Sequence, residues 1–325
     1  MLQLICWFLI VAQAQTLELL NRQTLDSEME IKKVKVGGLS GLHYKNDFLW
    51  AISDDRGSRG PYRMYKFELK SSKDEKTWSV KPMEMIPLGE SSGYQVLDPE
   101  ALHLFDDGRF LISSEGDLNK KPRVMPMIRF WSFAKGWEDE VPLPREVLPE
   151  AIGMQTQGIH NNSGFEAVAV HEDGKKLWIM PELPLFQRRD NKIDIYEYVF
   201  DKKWKKIKSY KYTRDEPKKD EPEILRGMSE ALWWKENHLL VLERYLQLQG
   251  TDLKKVGAEL FSVKLTNGKV EKKKLLSLDT DKEANWEGLS WGPALANGKR
   301  LLIIGTDNNF KKNVDTVFSF YSFAE

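Results

Sequence analysis

Short apolar runs, broken by Gly, Pro, Asn and Asp, occupy the chain from Leu39 to Phe323, and no long segment carries apolar residues at helical spacing. The runs are rich in β-branched and aromatic residues. Several alternate, as in Ile193-Asp-Ile-Tyr-Glu-Tyr198 and Phe261-Ser-Val-Lys-Leu265. Asp106-Asp-Gly108, Glu172-Asp-Gly174, Thr266-Asn-Gly268 and Ala296-Asn-Gly298 sit between runs, where hairpin turns are needed. The pattern repeats five times with a period of roughly sixty residues. Each unit opens with a small residue and Leu or Val, and an apolar run ending in an acid follows about fifteen residues later. The five openings are Ser40-Gly-Leu42, Glu100-Ala-Leu102, Glu166-Ala-Val168, Glu230-Ala-Leu232 and Glu287-Gly-Leu289. Their later acids are Asp54 and Asp55, Glu115, Glu182, Glu243 and Asp307.

Each unit resolves into up to four strands. The first unit predicts strands at Leu39–Tyr44, Phe48–Ser53, Arg63–Leu69 and Trp78–Pro87. The second has a weak fourth strand near Glu140–Leu143, the third opens at Phe165–His171, and the fifth lacks an outer strand. Residues 15–26 resemble the outer strand of the fourth unit, Lys274-Leu-Leu-Ser-Leu-Asp279, and are expected to complete the last sheet. Such a closure removes an open strand edge. Four-stranded sheets at a fixed period predict an all-β fold, a β-propeller. The count is five blades, or six if Pro142–Asn162 or the segment before Gly37 hides a degenerate unit.

Composition narrows the class. The chain has 325 residues, 41% of them hydrophobic, with 11 Trp and 15 Phe, enough for a large aromatic-rich core. Lys+Arg and Asp+Glu both number 49, so no net charge draws the protein to nucleic acid, and no nucleic-acid partner is expected. The lysine-rich stretch Asp201–Pro222 interleaves acids and reads as a solvated outer hairpin. Residues 1–14 read as a signal peptide: the apolar run Leu4–Ala12 ends in Ala12-Gln-Ala14, a small-x-small cleavage site, and is too short to span a bilayer. The alternative is a buried N-terminal strand. Cleavage after Ala14 removes Cys6 and leaves a mature single domain, residues 15–325, with no cysteine and no transmembrane segment, expected to be a periplasmic or secreted monomer.

The repeat also concentrates one chemistry. In a propeller the start of the innermost strand and the end of its antiparallel neighbour lie on the same rim. Glu100, Glu166, Glu230 and Glu287 take the first position, and Asp54 and Asp307 are among those at the second. Converging carboxylates raise one another's pKa or need a counter-charge, and calcium takes six to eight such oxygens. These six residues are the candidate metal ligands, with Asp98, Asn285, Asn308 and Asn309 as further oxygen donors. Arg56 and Arg244 each follow a rim acid and are candidates to bind an anionic substrate. The competing reading is that the acids accept backbone N–H bonds and lock the blades together. No catalytic side chain is assigned. Gly288-Leu-Ser-Trp-Gly292 matches G-x-S-x-G but falls within an inner strand, where the motif's strand–turn–helix elbow cannot form. The histidines lack zinc spacing, and His43 and His103 occupy equivalent inner-strand positions.

Gly38-Leu-Ser-Gly-Leu42, Ile52-Ser-Asp-Asp-Arg56, Asp98-Pro-Glu-Ala-Leu102 and Ile112-Ser-Ser-Glu-Gly116 continue in order with Gly164-Phe-Glu-Ala-Val168 and Leu242-Glu-Arg244. Asn285-Trp-Glu-Gly-Leu289 and Gly305-Thr-Asp-Asn-Asn-Phe310 complete the series. Together these motifs resemble the phytase-like domain family, also called "esterase-like activity of phytase", from about residue 36 to 322. The resemblance implies an exported propeller that hydrolyses phosphoesters or other esters, with a small anionic or ester substrate. By analogy with calcium-dependent phytases, bound calcium would draw in the phosphate and activate water. The alternative is a non-catalytic exported propeller that binds a ligand or protein on the same face.

Overall fold

The apolar runs form strands because both of their faces find neighbours. The computed structural model describes residues 17–89, 98–215, 224–249, 252–280 and 285–324; the leader expected at residues 1–14 lies outside them. β1 (Leu17–Leu25) precedes a short hairpin of β2 (Glu30–Ile31) and β3 (Val34–Lys35). The first blade is β4 (Leu39–Lys45), β5 (Phe48–Ser53), β6 (Arg63–Ser71) and β7 (Trp78–Pro87). The second is β8 (Pro99–Leu104), β9 (Phe110–Ser114), β10 (Met127–Ser132) and β11 (Gly136–Glu140). The third is β12 (Ala167–Val170), β13 (Lys176–Met180), β14 (Lys192–Asp201) and β15 (Lys203–Thr213). The fourth is β16 (Ile224–Lys235), β17 (His238–Gln249), β18 (Asp252–Thr266) and β19 (Lys269–Thr280). The fifth is β20 (Asn285–Ala294), β21 (Arg300–Asp307) and β22 (Thr316–Phe323), and β1 pairs antiparallel with β22 as its outer strand.

These five four-stranded sheets form a five-bladed β-propeller, closed as expected by the N-terminal strand. The inner strands β4, β8, β12, β16 and β20 touch in a ring, with β20 returning to β4. Successive side chains of a strand point to opposite faces, so each blade feeds two apolar layers. In β5, Leu49 and Ala51 pack toward the fifth blade while Trp50 and Ile52 pack toward the second. Five buried clusters result, one between each pair of neighbouring blades. Asn267 and Gly268, both at positive φ, turn β18 into β19, as Thr266-Asn-Gly predicts.

Two strands differ from expectation: β12 spans Ala167–Val170 rather than Phe165–His171, and β11 lies earlier than the Glu140–Leu143 run. β11 spans Gly136–Glu140 and does not run on to Leu143, because Pro142 and Pro144 have no N–H to extend the ladder; Val141 donates to Ile128 O at 2.8 Å. Residues 142–162 hold no further blade: they form one 3-10 turn (Arg145–Val147) and loops whose Val147 and Ile159 fill the layer between the second and third blades. No helix among the described residues is long and apolar enough to cross a membrane.

Candidate functional site

A strand irregularity at the head of the inner strands aims the acids. In β8 the residues Glu100 and Ala101 together oppose Ser113, between the pairs Pro99↔Ser114 and Leu102↔Ile112. In β20 the extra residue is Glu287 itself, between Trp286↔Thr306 and Gly288↔Gly305. An extra residue re-aims its side chain away from the alternation of the ladder. Glu100 and Glu287, with Glu166 just before β12, thereby turn into the channel mouth.

There they line a cavity of about 370 Å³ with Asp54, Asp98, Arg56 and Arg244. Glu115, Glu182 and Asp307 are buried against the same group. Close approach requires particular glycines. Gly38, at φ 60°, lies where any Cβ would collide with the Asp54 carboxylate, and a Cβ on Gly164 would come within 2.9 Å of Glu115 Cα. The peptide N–H of Gly164 donates to Glu115 Oε1. Ser40, the one non-acid at the strand-head position, donates its Oγ to Glu100 Oε2 at 2.7 Å.

Eight carboxylates thus share the mouth with three guanidinium groups, of which Arg59 lies over the Phe310 ring at 4.7 Å. Arg244 binds three of the carboxylates: it donates to Glu287 Oε1, to Glu182 Oε1 at 2.7 Å and to Glu166 Oε1 at 3.3 Å. Arg56 donates to Asp98 and Asn162. Asp55, next to Asp54 in sequence, leaves the group and pairs with the fully buried Arg63 at 2.7 Å. Among the described residues the acids at the mouth outnumber its three arginines. Burial, then Glu287 and Asp98, push Asp54 up to about 7. Burial and neighbouring acids hold Glu100, Glu115 and Asp307 well above the ordinary range, and burial does the same for Glu166 against the opposing pull of Arg244.

This donor set fits a hard divalent cation. Oxygens of Asp98, Glu100 and Glu115 lie within 4.8 Å of one another, and the buried Glu166 Oε2 and Asp307 Oδ2 have no hydrogen-bond partner. A second acid trio, Asp215, Glu243 and Glu259, is equally close but already neutralised by Arg226, Lys272 and Lys274. Glu243 therefore belongs to an ion network on its own sheet.

The structure brings together Asp54, Glu100, Glu166, Glu287, Asp307, Arg56 and Arg244, and sets Glu230 apart. In the fourth blade the extra residue is Ser229, between Met228↔Glu243 and Glu230↔Leu242, so Glu230 lies in the regular ladder. Its Oε1 accepts the N–H of Ala231 at 2.9 Å and of Val168 at 3.5 Å, the blade-locking role weighed for these acids. A slip of one residue turns a side chain to the other face. Glu115 and Glu182 are full members of the acidic group, and their place at the ends of the second strands was the legible signal. Ser290 Oγ is buried, accepting from Tyr44 N–H at 2.8 Å and donating to Trp291 O at 2.9 Å, and no elbow surrounds it.

Solved structures match the chain at low identity. An exo-β-1,3-galactanase from Clostridium thermocellum matches at 11% identity and TM-score 0.50, over 93% of this chain and 62% of that one. A periplasmic gluconolactonase of Pseudomonas aeruginosa matches at 10% identity and TM-score 0.34, over 78% and 90%. No curated protein sequence matches the chain. The family model described as "Phytase-like: Esterase-like activity of phytase" matches residues 34–310, with the strand-head motifs inside that span, and the chain belongs to this family.

Proposed function

We propose that the protein is an exported hydrolase of phosphoesters or other esters that uses calcium held at the acidic mouth. One observation carries the reading: among the described residues a well of eight carboxylates, seven of them buried, is lined by three arginines, and the oxygens of Asp98, Glu100 and Glu115 converge where Arg56 pairs with Asp98 alone and Arg244 with none of the three. Family membership supports the hydrolytic class. Asp98, Glu100 and Glu115 would hold the ion, with Asp54 and Glu166 beside it. Bound calcium would supply Lewis acidity toward the ester oxygen and lower the pKa of water. Arg56, whose side chain is 35% exposed, faces the entrance and would orient the anionic group. Arg244 is 14% exposed and engaged by three carboxylates, so its part is to hold Glu166, Glu182 and Glu287 in place. The buried carboxylates that remain ionised would accept the proton released as water adds.

Calcium titrated into the mature protein should bind saturably and raise the melting temperature. Glu100→Gln should weaken that binding at least tenfold, and turnover of p-nitrophenyl phosphate or p-nitrophenyl acetate should require the ion. A folded protein that binds no calcium and hydrolyses neither ester overturns the reading. The engagement of Arg244 favours one alternative, a propeller that binds an anionic ligand at the same mouth without turning it over; saturable calcium binding with no hydrolysis would select it. Export rests on the leader at residues 1–14. N-terminal sequencing of protein expressed with its leader should begin at Gln15, and an intact Met1 in the exported fraction would refute cleavage.

A further inference from the structure

The channel has a second cavity, remote from the acids in the chain's own geometry. Past their acidic heads, the five inner strands enclose about 400 Å³ at the opposite end. Leu42, Leu102, Val168, Leu232 and Leu289, one from each inner strand, line it, and none of them lines the acidic cavity. This volume falls within the range of small-molecule sites.

Its walls are chemically distinct from the acidic mouth. Trp233 and Trp291 present two indoles, and the buried Trp233 Nε1 has no hydrogen-bond partner. His43 and His103 lie against each other with ring centroids 4.2 Å apart. Burial, reinforced by Lys45, lowers His43 to about 3, so the ring is neutral; it is hydrogen-bonded to the backbone of Leu104. One nitrogen is thereby left as an acceptor. Two cations stand among these rings. Arg300 lies over the Trp291 face at 4.6 Å, and Lys45 pairs with Asp106, whose side chain is 91% exposed. The lining acids are the exposed Glu172 and the backbone-bound Glu230. His171 packs at a tilt against Trp233 and turns its ring nitrogens toward Asp173 and Glu236.

Aromatic walls recognise a ring face, and a lysine and an arginine beside them recognise an anion. A third imidazole or carboxylate close enough to form a transition-metal site with His43 and His103 is absent among the described residues. We propose that this cavity binds a small aromatic carboxylate, its ring against Trp233 and Trp291 and its carboxylate toward Lys45 and Arg300.

The test is isothermal titration of the mature protein with 4-hydroxyphenylacetate and with its neutral amide, 4-hydroxyphenylacetamide, each with and without calcium. The expected result is one saturable site for the acid, at least tenfold weaker binding of the amide, and no effect of calcium, because the ion's seat is in the other cavity. Lys45→Ala, a partly exposed position that should fold normally, is expected to weaken the acid severalfold and leave the amide unchanged. Trp233→Leu should weaken both. Absence of saturable binding, equal affinity for acid and amide, or unchanged affinity in Lys45→Ala would each overturn the proposal. Because calcium binding at the acidic mouth is measured separately, failure here leaves the hydrolase reading untouched, and the reverse holds.

Discussion

Arg244 ties the strand-head acids of two blades, Glu166 and Glu287, to Glu182 at the end of a second strand. A guanidinium can do this because its donors fan out in a plane, whereas a lysine is a single point of charge. In the metal-free protein, Arg244→Met would leave three buried carboxylates with no cation, at a cost of about 3–5 kcal/mol, read as a lower denaturation midpoint; Arg244→Lys should recover only part of it. Asp54 makes the pH behaviour specific. Its carboxyl is raised from 3.8 to about 7 in the folded protein, so the folded state binds a proton that the unfolded chain has released. That contribution to stability is complete below pH 4 and is lost as pH rises through 7. Asp54→Asn should therefore flatten the metal-free stability profile between pH 4 and 7, and an unchanged slope in urea titrations would contradict the assignment.

At the scale of elements, strand identity followed from alternation and turn residues, but strand faces did not. The sequence Glu-Ala-Leu occurs near the start of β8 and in the middle of β16, yet Glu100 enters the acidic mouth and Glu230 does not. The irregularity sits one residue earlier in β16, at Ser229, whose Oγ donates to Trp286 O of the next blade at 2.9 Å. That contact crosses from one blade to another, so no local pattern announces it. Closure by β1 was legible, because its apolar run matched an outer strand and the fifth unit lacked one. Eight residue pairs run from Leu17↔Phe323 to Leu25↔Thr316. Removing residues 1–26 should expose β22 as an open edge. The truncated chain is expected to melt earlier and to associate, seen by thermal denaturation and gel filtration; a monomer with unchanged melting would contradict closure as a stabilising device.

Across the whole molecule, equal numbers of acidic and basic residues conceal strong segregation: buried acids gather at one mouth, while Lys45 and Arg300 stand at the other. The five apolar layers resist this concentration of like charge by holding the blades in a closed ring. Phe318, fully buried between the first and fifth blades, tests that role: Phe318→Ala should cost about 3–5 kcal/mol through the lost contacts and the cavity left behind. Calcium at a hundred times its dissociation constant should add about 2.7 kcal/mol to folded-state stability by mass action. Calorimetry with and without chelator measures that term.

By itself the sequence determined the all-β class, the period, the closing strand and the family, because alternation, turn chemistry and ordered motifs are properties of neighbouring residues. It also named most of the acids at the mouth. Only the tertiary structure decided which of them meet. Strand bulges, a glycine close approach and one arginine reaching across blades set each carboxylate's direction and partner. Those are contacts between residues some forty to sixty positions apart along the chain, and charge compensation depends on three-dimensional neighbours rather than on order in the sequence.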